Sequence, residues 1–282
     1  MKSLLIKDLV KQAAEILKQS DIADYDIDSW LLAEYVFHIN KTKLYIYPDM
    51  ETDEKQGRKY LELIEKRASH IPLQHLTGIQ EFMGMEFIVD ENVLIPRQDT
   101  EILVEELIKY INAEKRTLKV LDMCTGSGCI AVSVDKLCEN NVVQAVDISK
   151  KALAVAEKNN LKHHGNVKFI CSDMFEKVEG KFDVIVSNPP YIETEEMKQL
   201  MPEVRDHEPH SALDGTEDGL KFYRIICSNL SQYLSENGAV FFEIGYNQGK
   251  TVPELLKQNG FENIKVVKDL SKNDRVVVAK RK

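Results

Sequence analysis

The sequence has no excess of basic charge, which argues against a nucleic-acid partner. Its 282 residues carry 37 Lys and Arg against 46 Asp and Glu, a formal net charge of −9. Proteins that bind nucleic acid through its phosphates usually present a basic face. An acidic total lowers that expectation without removing it, because a local basic patch is compatible with any net charge. We therefore expect no stable nucleic-acid partner.

Cysteine pairs and long apolar runs are also missing. The five cysteines are scattered without Cys-x-x-Cys spacing, so we expect free thiols in a reducing compartment and no zinc site. Lys7, Asp8 and Lys11 interrupt the apolar residues at the start of the chain, and no run is long enough to span a bilayer. These absences predict a cytoplasmic protein with no membrane partner and no bound metal.

Residues 1–75 have the periodicity of a small helical bundle. Three apolar stripes recur at helical spacing: Leu5, Leu9, Ala13, Ile16 and Leu17; Trp30, Leu31, Tyr35 and Ile39; Tyr60, Leu63, Ile64 and Ala68. Asp26 or Asp28 can cap the second helix, and the third helix is predicted near Asp53 to Ser69. We expect a domain with a small core of its own.

Residues 76–96 predict a β-hairpin linker. Ile71-Pro72 ends the helical pattern, and two apolar runs then follow with Asp90-Glu91-Asn92 between them. This places the boundary between two domains around residues 75–95.

Helical and strand segments alternate over residues 97–282. Seven strand-like runs are present: TLKVLDM, VVQAVD, VKFICSD, FDVIVSN, AVFFEIG, IKVVKD and RVVVAK. Helical segments between them imply βαβ units and a mainly parallel sheet covered on both faces. Only SKND separates the last two runs, so we expect that pair to be antiparallel. The predicted fold class is α/β, a mostly parallel, Rossmann-like seven-stranded sheet preceded by the helical bundle and the hairpin.

The first of these strands runs from Val120 into a glycine turn that ends at Gly128. Glycines let a ligand approach the backbone, and the following helix offers unpaired N–H groups. With Ala131 in the third glycine position, the turn fits a dinucleotide or S-adenosylmethionine, and a plain tight turn is the alternative. Asp147 ends the next strand, where a carboxylate can accept bonds from ribose hydroxyls. Its alternative role is the helix N-cap, which Ser149 can also supply.

Other side chains follow at the same predicted edge. Asp122 would lie near a positive sulfonium or amino group of the ligand. Asp173, Met174 and Phe175 end the third strand, where an adenine needs apolar walls and an acceptor. For Met174 and Phe175, burial in the core is the alternative.

The most specific feature is Asn188-Pro189-Pro190-Tyr191 directly after an apolar strand. Paired prolines end a strand and stiffen the loop that follows. The Asn188 side-chain oxygen and the Pro189 carbonyl can bind both protons of a planar NH₂ group, whose delocalised lone pair makes it a weak nucleophile. Tyr191 can stack on that planar group. The residues predict methyl transfer to an amide or aromatic amino nitrogen, without choosing between the two.

Combined with further segments, these motifs resemble one family across nearly the whole chain. The segments are IPRQDTE from Ile95, Glu208-Pro209, ALDGTEDGLKFYRII and FFEIGYNQG. Together with LDMCTGSG and SNPPY they are similar to the peptide chain release factor glutamine N5-methyltransferases (HemK/PrmC type), which belong to the class I methyltransferases.

The resemblance implies methylation of the glutamine in the Gly-Gly-Gln motif of bacterial class 1 release factors, with S-adenosyl-L-homocysteine as product. It assigns Asn188, Pro189 and Tyr191 to catalysis and, with Pro190, to substrate binding. It assigns cofactor contacts to these residues: Cys124, Thr125, Gly126, Ser127, Gly128, Asp147, Met174 and Asn188. The helical domain would dock the release factor outside that motif.

Two positions depart from the family pattern. Cys124 replaces the first glycine of the turn, which is acceptable if its φ is negative. Met174 stands where an aromatic residue is common, and Phe175 is a possible substitute.

Two other functions stay open. An adenine-N6 or guanine-N2 methyltransferase acting on DNA or rRNA would use the same Asn-Pro-Pro-Tyr chemistry, but it predicts a basic cleft and base flipping. A non-catalytic S-adenosylmethionine-binding module would not need Asn188. A dehydrogenase is a more distant reading, because this motif has no role in hydride transfer.

Overall fold

The computed structural model describes residues 4–281 and divides into two compact units. The first unit extends to Gly78 and also contains Met201–His207. The second comprises Ile79–Leu200 and the chain from Glu208 onward. None of the helices within residues 4–281 is long and apolar enough to cross a membrane.

The first unit is helical. Its elements are β1 (Leu4–Leu5), α1 (Ile6–Gln19), α2 (Tyr25–Phe37), α3 (Lys41–Ile46), β2 (Glu51–Thr52), α4 (Glu54–Ala68), α5 (Leu73–Thr77) and α9 (Pro202–His207). The predicted first and third stripes supply its core, with Ala13, Leu17, Tyr60 and Ile64 fully buried. Asp53 caps α4 by accepting a hydrogen bond from the Gln56 N–H (2.8 Å). The predicted helical bundle is present.

The predicted second stripe is only half right: Trp30 packs against the core and Ile39 is buried, although Ile39 lies beyond the end of α2. The helix buries Leu32, Ala33 and Val36, whereas Leu31 and Tyr35 are exposed. The predicted capping residues are also wrong, because α2 begins after Asp24 without a side-chain cap. Apolar residues of α2 lie on all sides of the helix, so the periodicity of its sequence does not show which face is buried.

The linker hairpin turns earlier than predicted. Strands β3 (Ile79–Phe82) and β4 (Met85–Ile88) pair antiparallel, with Phe82 opposite Met85. The turn is Met83-Gly84, and both residues have positive φ, as a two-residue hairpin turn requires. The predicted turn at residues 90–92 is therefore a loop after the hairpin.

The second unit carries the predicted α/β fold. Its strands are β5 (Lys119–Met123), β6 (Val142–Asp147), β7 (Lys168–Cys171), β8 (Phe182–Ser187), β9 (Leu234–Glu243), β10 (Glu262–Lys268) and β11 (Asp274–Lys280). Its helices are α6 (Gln98–Glu114), α7 (Cys129–Leu137), α8 (Lys150–Lys162), α10 (Lys221–Tyr233) and α11 (Thr251–Gln258). The strand order is β10-β11-β9-β8-β5-β6-β7. Strands β5 to β9 pair in parallel, and β10 and β11 pair antiparallel, as predicted. Strand β11 is also antiparallel to β9.

Alternate residues of the central strands enter two cores, one on each face of the sheet. Val184 and Val186 of β8 pack with α6 and α7, whereas Ile185 packs with α10 and α11. This period of two follows from the pleat of a strand buried on both faces. Packing on both faces of the sheet holds the carboxyl ends of β5, β8 and β9 in place, and the site lies at these ends.

Candidate active site

The glycine turn and the Asn-Pro-Pro-Tyr loop leave the sheet side by side. They follow β5 and β8, which pair in parallel with Met123 opposite Ser187. The Ser187 hydroxyl donates to the Met123 carbonyl (2.6 Å) and joins the two strand ends. The chain continues in opposite directions across the sheet from these strands, and such a switch point is where α/β sheets bind ligands.

A cleft of 490 Å³ opens at this switch point. Most of the residues predicted to form the site line it: Cys124, Thr125, Gly126, Ser127, Asp147, Met174, Asn188 and Pro190. Gly128, Pro189 and Tyr191 are outside its lining. The structure thus brings the two predicted halves of the site to one cavity.

The glycine turn has separate uses for its two glycines. Gly126 has φ 55° and a Cβ there would meet nothing within 4 Å, so the backbone is open to a ligand. Gly128 has φ 79°, and a Cβ would lie 3.0 Å from the Ala156 Cβ of α8. The condition set for Cys124 in this turn, a negative φ, is not met: its φ is 63°. That left-handed conformation is costly for a residue with a side chain.

Asp147 holds the turn as well as facing the cleft. Its carboxylate accepts hydrogen bonds from the backbone N–H groups of Gly126 (2.9 Å) and Ser149 (2.8 Å). Burial raises its pKa, and these backbone bonds oppose the rise. Ser149, not Asp147, caps α8 by accepting from the Ala152 N–H (3.1 Å). Each carboxylate oxygen has a second lone pair, so both can still accept from ligand hydroxyls.

Asp122 is fully buried beneath the turn. The Thr125 hydroxyl donates to its Oδ2 (2.6 Å), and its Oδ1 meets no donor with good hydrogen-bond geometry among residues 4–281. Burial raises the pKa of Asp122 to about 7. A buried carboxylate that is only partly bonded is costly to the fold, and such groups gather at functional sites.

The structure separates Met174 from Phe175. Met174 lines the cleft with φ 44°. Phe175 is in the core, stacked on Tyr233 with ring centroids 4.5 Å apart. The suggested substitution of Phe175 for an adenine-side aromatic residue is therefore wrong, because its ring is committed to the core.

The Asn188 amide has a defined orientation. Its Nδ2 donates to the Thr100 hydroxyl (3.3 Å), and none of residues 4–281 donates to its Oδ1. The amide oxygen therefore remains available to accept at the cleft. Neither Thr100 nor the hydrogen bond is evident from the local sequence around Asn188.

Two of the segments that carried the family resemblance support this loop. Gly215 and Gly219 lie against it: a Cβ on Gly215 would be 2.8 Å from the Tyr191 Cα, and one on Gly219 would collide with the Tyr191 carbonyl. Gln248 Nε2 donates to that carbonyl (3.2 Å). The glycines of LDGTEDGL and the Gln of YNQG therefore fix the loop's path.

Glu243, at the end of β9, lies behind the loop and is 2% exposed. The Tyr191 hydroxyl donates to its Oε1 (3.4 Å), while its Oε2 meets no donor with good geometry among residues 4–281. Burial raises the pKa of Glu243 to about 7, and interactions with Thr100 and Arg275 oppose the rise. Glu243 is not among the residues predicted for the site, although a carboxylate inside the apolar run FFEIG was a usable signal.

Arg97 and Glu208 form an ion pair at the cleft. Arg97 lines the cleft, and its Nη2 donates to Glu208 Oε1 (2.5 Å). Glu208 is buried, which raises its pKa, with Arg97 opposing the rise. The pair joins two segments of the resemblance that are 111 positions apart. Within residues 4–281 no group of three or more His, Cys, Asp and Glu side chains could hold a metal ion.

Two family models match the chain. The model described as "Methyltransferase small domain" matches residues 97–205, and the "PrmC N-terminal domain" matches residues 8–78. They fall on the α/β and helical units, respectively.

Relatives extend the match over nearly the full chain. A release factor glutamine methyltransferase of Clostridium acetobutylicum is 40% identical, covering 98% of each chain. One of Fusobacterium nucleatum is 39% identical, covering 97% of this chain and 78% of its own. The structure of a 16S rRNA N2 G1207 methyltransferase of T. thermophilus, in complex with AdoMet and guanosine, shares the fold at 16% identity and a TM-score of 0.50, covering 72% of this chain and 50% of that one. With such identity across whole chains, the protein belongs to the release factor glutamine methyltransferase family.

Proposed function

We propose that this chain transfers a methyl group from S-adenosylmethionine to the side-chain amide nitrogen of the glutamine in the Gly-Gly-Gln motif of bacterial class 1 release factors. The observation that carries the proposal is the Asn188 amide, which bonds Thr100 through Nδ2 and keeps Oδ1 unbonded at a cleft shared with the glycine turn. Family membership supports glutamine, rather than a base, as the acceptor.

The cleft residues fit the cofactor. Asp147 would accept from the ribose hydroxyls, Gly126 would let the ligand approach the backbone, and Met174 would form an apolar wall for the adenine. Asp122, which is buried beneath the turn and outside the cleft lining, would favour the positive methionine end through its charge. When bound, S-adenosylmethionine supplies an electrophilic methyl group, and S-adenosyl-L-homocysteine is left after transfer.

The loop's task is to hold a weak nucleophile in line. Asn188 Oδ1 and the Pro189 carbonyl would accept the two N–H protons of the glutamine amide and increase electron density on its nitrogen. Pro190 would shape the wall beside it. Holding the nitrogen within about 3–3.5 Å of the methyl carbon, in line, supplies much of the rate enhancement. The stacking role predicted for Tyr191 stays a prediction, since its hydroxyl bonds Glu243 and its ring is outside the cleft lining.

The helical unit would dock the release factor outside the Gly-Gly-Gln motif. On α2, Ile27, Leu31 and Tyr35 are exposed at a spacing of four residues, so they share one face of the helix. An exposed apolar face of this kind is suited to a protein partner. A double variant with Ile27→Glu and Leu31→Glu should raise KM for a full-length release factor and leave a short Gly-Gly-Gln peptide unaffected. Leu270→Glu, an exposed apolar position in the other unit, is the matched control.

The function is tested with labelled S-adenosylmethionine. A full-length class 1 release factor, the same factor with its Gly-Gly-Gln glutamine replaced by glutamate, DNA and rRNA serve as parallel acceptors. We expect label on the unaltered factor alone. Label on nucleic acid and none on the release factor would refute the proposal.

A further inference from the structure

Two buried side chains behind the Asn-Pro-Pro-Tyr loop have no role in the function proposed so far. Thr100 is in the first turn of α6 and is 2% exposed; Glu243 ends β9 and is equally buried. Thr100 accepts a hydrogen bond from Asn188 Nδ2 and interacts with the Glu243 carboxylate. We infer that Glu243, acting through the Thr100 hydroxyl, sets the orientation of the Asn188 amide, and that both are positioning residues for the proposed methyl transfer.

The direction of the hydrogen bonds carries this inference. An ionised carboxylate can only accept, so in the interaction between these two side chains the Thr100 hydroxyl is the donor. The hydroxyl oxygen then meets Asn188 as an acceptor, which favours the amide NH₂ on that side. The amide oxygen is left at the cleft, where a glutamine N–H needs an acceptor. A protonated Glu243 can donate to Thr100, and Thr100 can then donate to a flipped amide, which would present NH₂ to the substrate.

Simple ion pairing does not account for Glu243. The nearby guanidinium of Arg275 makes its ion pairs with Asp99 (3.2 Å) and Asp269 (3.0 Å), and within residues 4–281 no cation lies within 4.0 Å of the Glu243 carboxylate. A buried acid without an ion pair destabilises a fold, and an apolar or amide residue would be better for stability alone. Its hydrogen-bond neighbours belong to the loop: Tyr191 directly, and Asn188 through Thr100.

The charged and titratable groups around Glu243 come from each element packed on it. Asp99 on α6 raises its pKa, and Arg275 on β11 lowers it. Tyr191 of the loop donates to its carboxylate, and Tyr223 on α10 donates to its backbone carbonyl (2.7 Å). Cys129 on α7 has a pKa raised to about 12, chiefly by burial and in small part by Glu243. The pKa of Glu243 itself is about 7, raised chiefly by burial.

Three variants of the full chain test the inference, with a full-length release factor as acceptor and kcat measured from pH 6 to 9. Thr100→Val keeps the shape of the side chain and removes the hydroxyl, so we expect kcat to fall roughly 10- to 100-fold, as a misplaced acceptor would cause. Thr100→Ser restores the hydroxyl and most of the rate. Wild-type kcat should rise with pH through about 7, and Glu243→Gln should abolish that rise. S-adenosylmethionine affinity should be unchanged in all three.

The inference rests on the proposed function, and the assay separates the two. An active wild type with unaltered kcat and pH profile in Thr100→Val and Glu243→Gln would overturn the inference alone. A lowered melting temperature with an unaltered pH profile of kcat would also overturn the inference alone, because it would show that the two residues have only a structural role. A wild type that leaves the release factor unmethylated would overturn the proposed function and this inference with it.

Discussion

The acidic side chains of the two units differ in how well they are paired. In the helical unit, the Arg67 guanidinium donates to Asp28 (2.7 Å) and to Glu203 of α9 (3.1 Å), and its side chain is 8% exposed. In the α/β unit, Asp122 and Glu243 each keep one oxygen without a well-placed donor among residues 4–281. Arg67 thus contacts both acids of the helical cluster, Asp28 and Glu203, whereas no cation within residues 4–281 lies within 4.0 Å of Asp122 or Glu243.

This difference separates structural from functional use of buried charge. Burial would raise the pKa of Glu203, but hydrogen bonds from its own backbone, Arg67 and His70 together lower it. Burial raises the pKa of the more deeply buried Asp28, with Arg67 opposing the rise. Asp122 and Glu243 have pKa values raised to about 7, both chiefly by burial. The helical cluster fixes the segment Met201–His207 within its unit, whereas the unpaired acids lie where a ligand or a hydrogen-bond relay can use them.

Removing the cation should produce the largest effect on stability. Arg67→Met would leave Asp28 and Glu203 buried without their partner, which costs about 3–5 kcal/mol of unfolding free energy. Urea unfolding followed by circular dichroism measures it. Lys7→Met at the exposed Lys7–Asp49 pair is the matched control, and we expect it to leave the free energy of unfolding nearly unchanged. Equal, small losses in the two variants would mean that pairing in the helical cluster contributes little.

Asn188→Ala, in contrast to Arg67→Met, should lower activity strongly and change stability little. The substitution removes an acceptor that we propose acts on the reacting amide, so kcat should fall roughly 100- to 1000-fold. S-adenosylmethionine binding and melting temperature should change little. Methyl transfer to the release factor and calorimetric titration of the cofactor measure the two quantities. Unchanged turnover would show that the glutamine amide is held by other residues.

Glu243→Gln should stabilise the fold at alkaline pH. Folding raises the pKa of Glu243 from 4.5 to about 7, so the native state holds its proton more tightly than the unfolded chain. The associated stability is complete below pH 4.5 and is lost as pH rises through 7. At pH 8 the Gln variant should therefore be more stable by on the order of 1–3 kcal/mol, and the difference should shrink toward pH 5. A variant less stable than wild type at pH 8 would mean that the carboxylate is better paired than its contacts indicate.

Sequence patterns correctly predicted those parts of the fold that depend on the local periodicity of apolar residues. Seven apolar runs gave seven strands, because a strand buried on both faces needs a continuous apolar sequence. The α2 face was mispredicted because apolar residues lie on all sides of that helix. The Met83-Gly84 turn was missed because its left-handed Met83 is an uncommon turn residue. The six-residue helix α9 is too short to show a period, and its place in the helical unit depends on distant contacts with Arg67.

The candidate site likewise has a part that the sequence predicts and a part that it does not. Its glycine turn and Asn-Pro-Pro-Tyr loop are contiguous motifs, so the sequence predicted that the two would meet at one edge of the sheet. Thr100 and Glu243 are 143 positions apart, and only the packing of α6 against β9 brings them together. Residues that act within one contiguous motif can be predicted from a single sequence. Residues that orient the motif from other helices and strands cannot.

The smallest expected effect on the free energy of unfolding comes from backbone strain, which can also be compared between the two units. Cys124 in the cleft and His38 at the end of α2 share a left-handed backbone, with φ 63° and 53°. Glycine at either position removes a conformational cost of about 1–2 kcal/mol, offset by about 0.5–1 kcal/mol of unfolded-state entropy. Both His38→Gly and Cys124→Gly should therefore gain up to about 1 kcal/mol in urea unfolding. Only Cys124→Gly should also weaken S-adenosylmethionine binding, because its side chain lines the cleft. Equal cofactor affinity in the two variants would show that this strained residue, like His38, serves the fold alone.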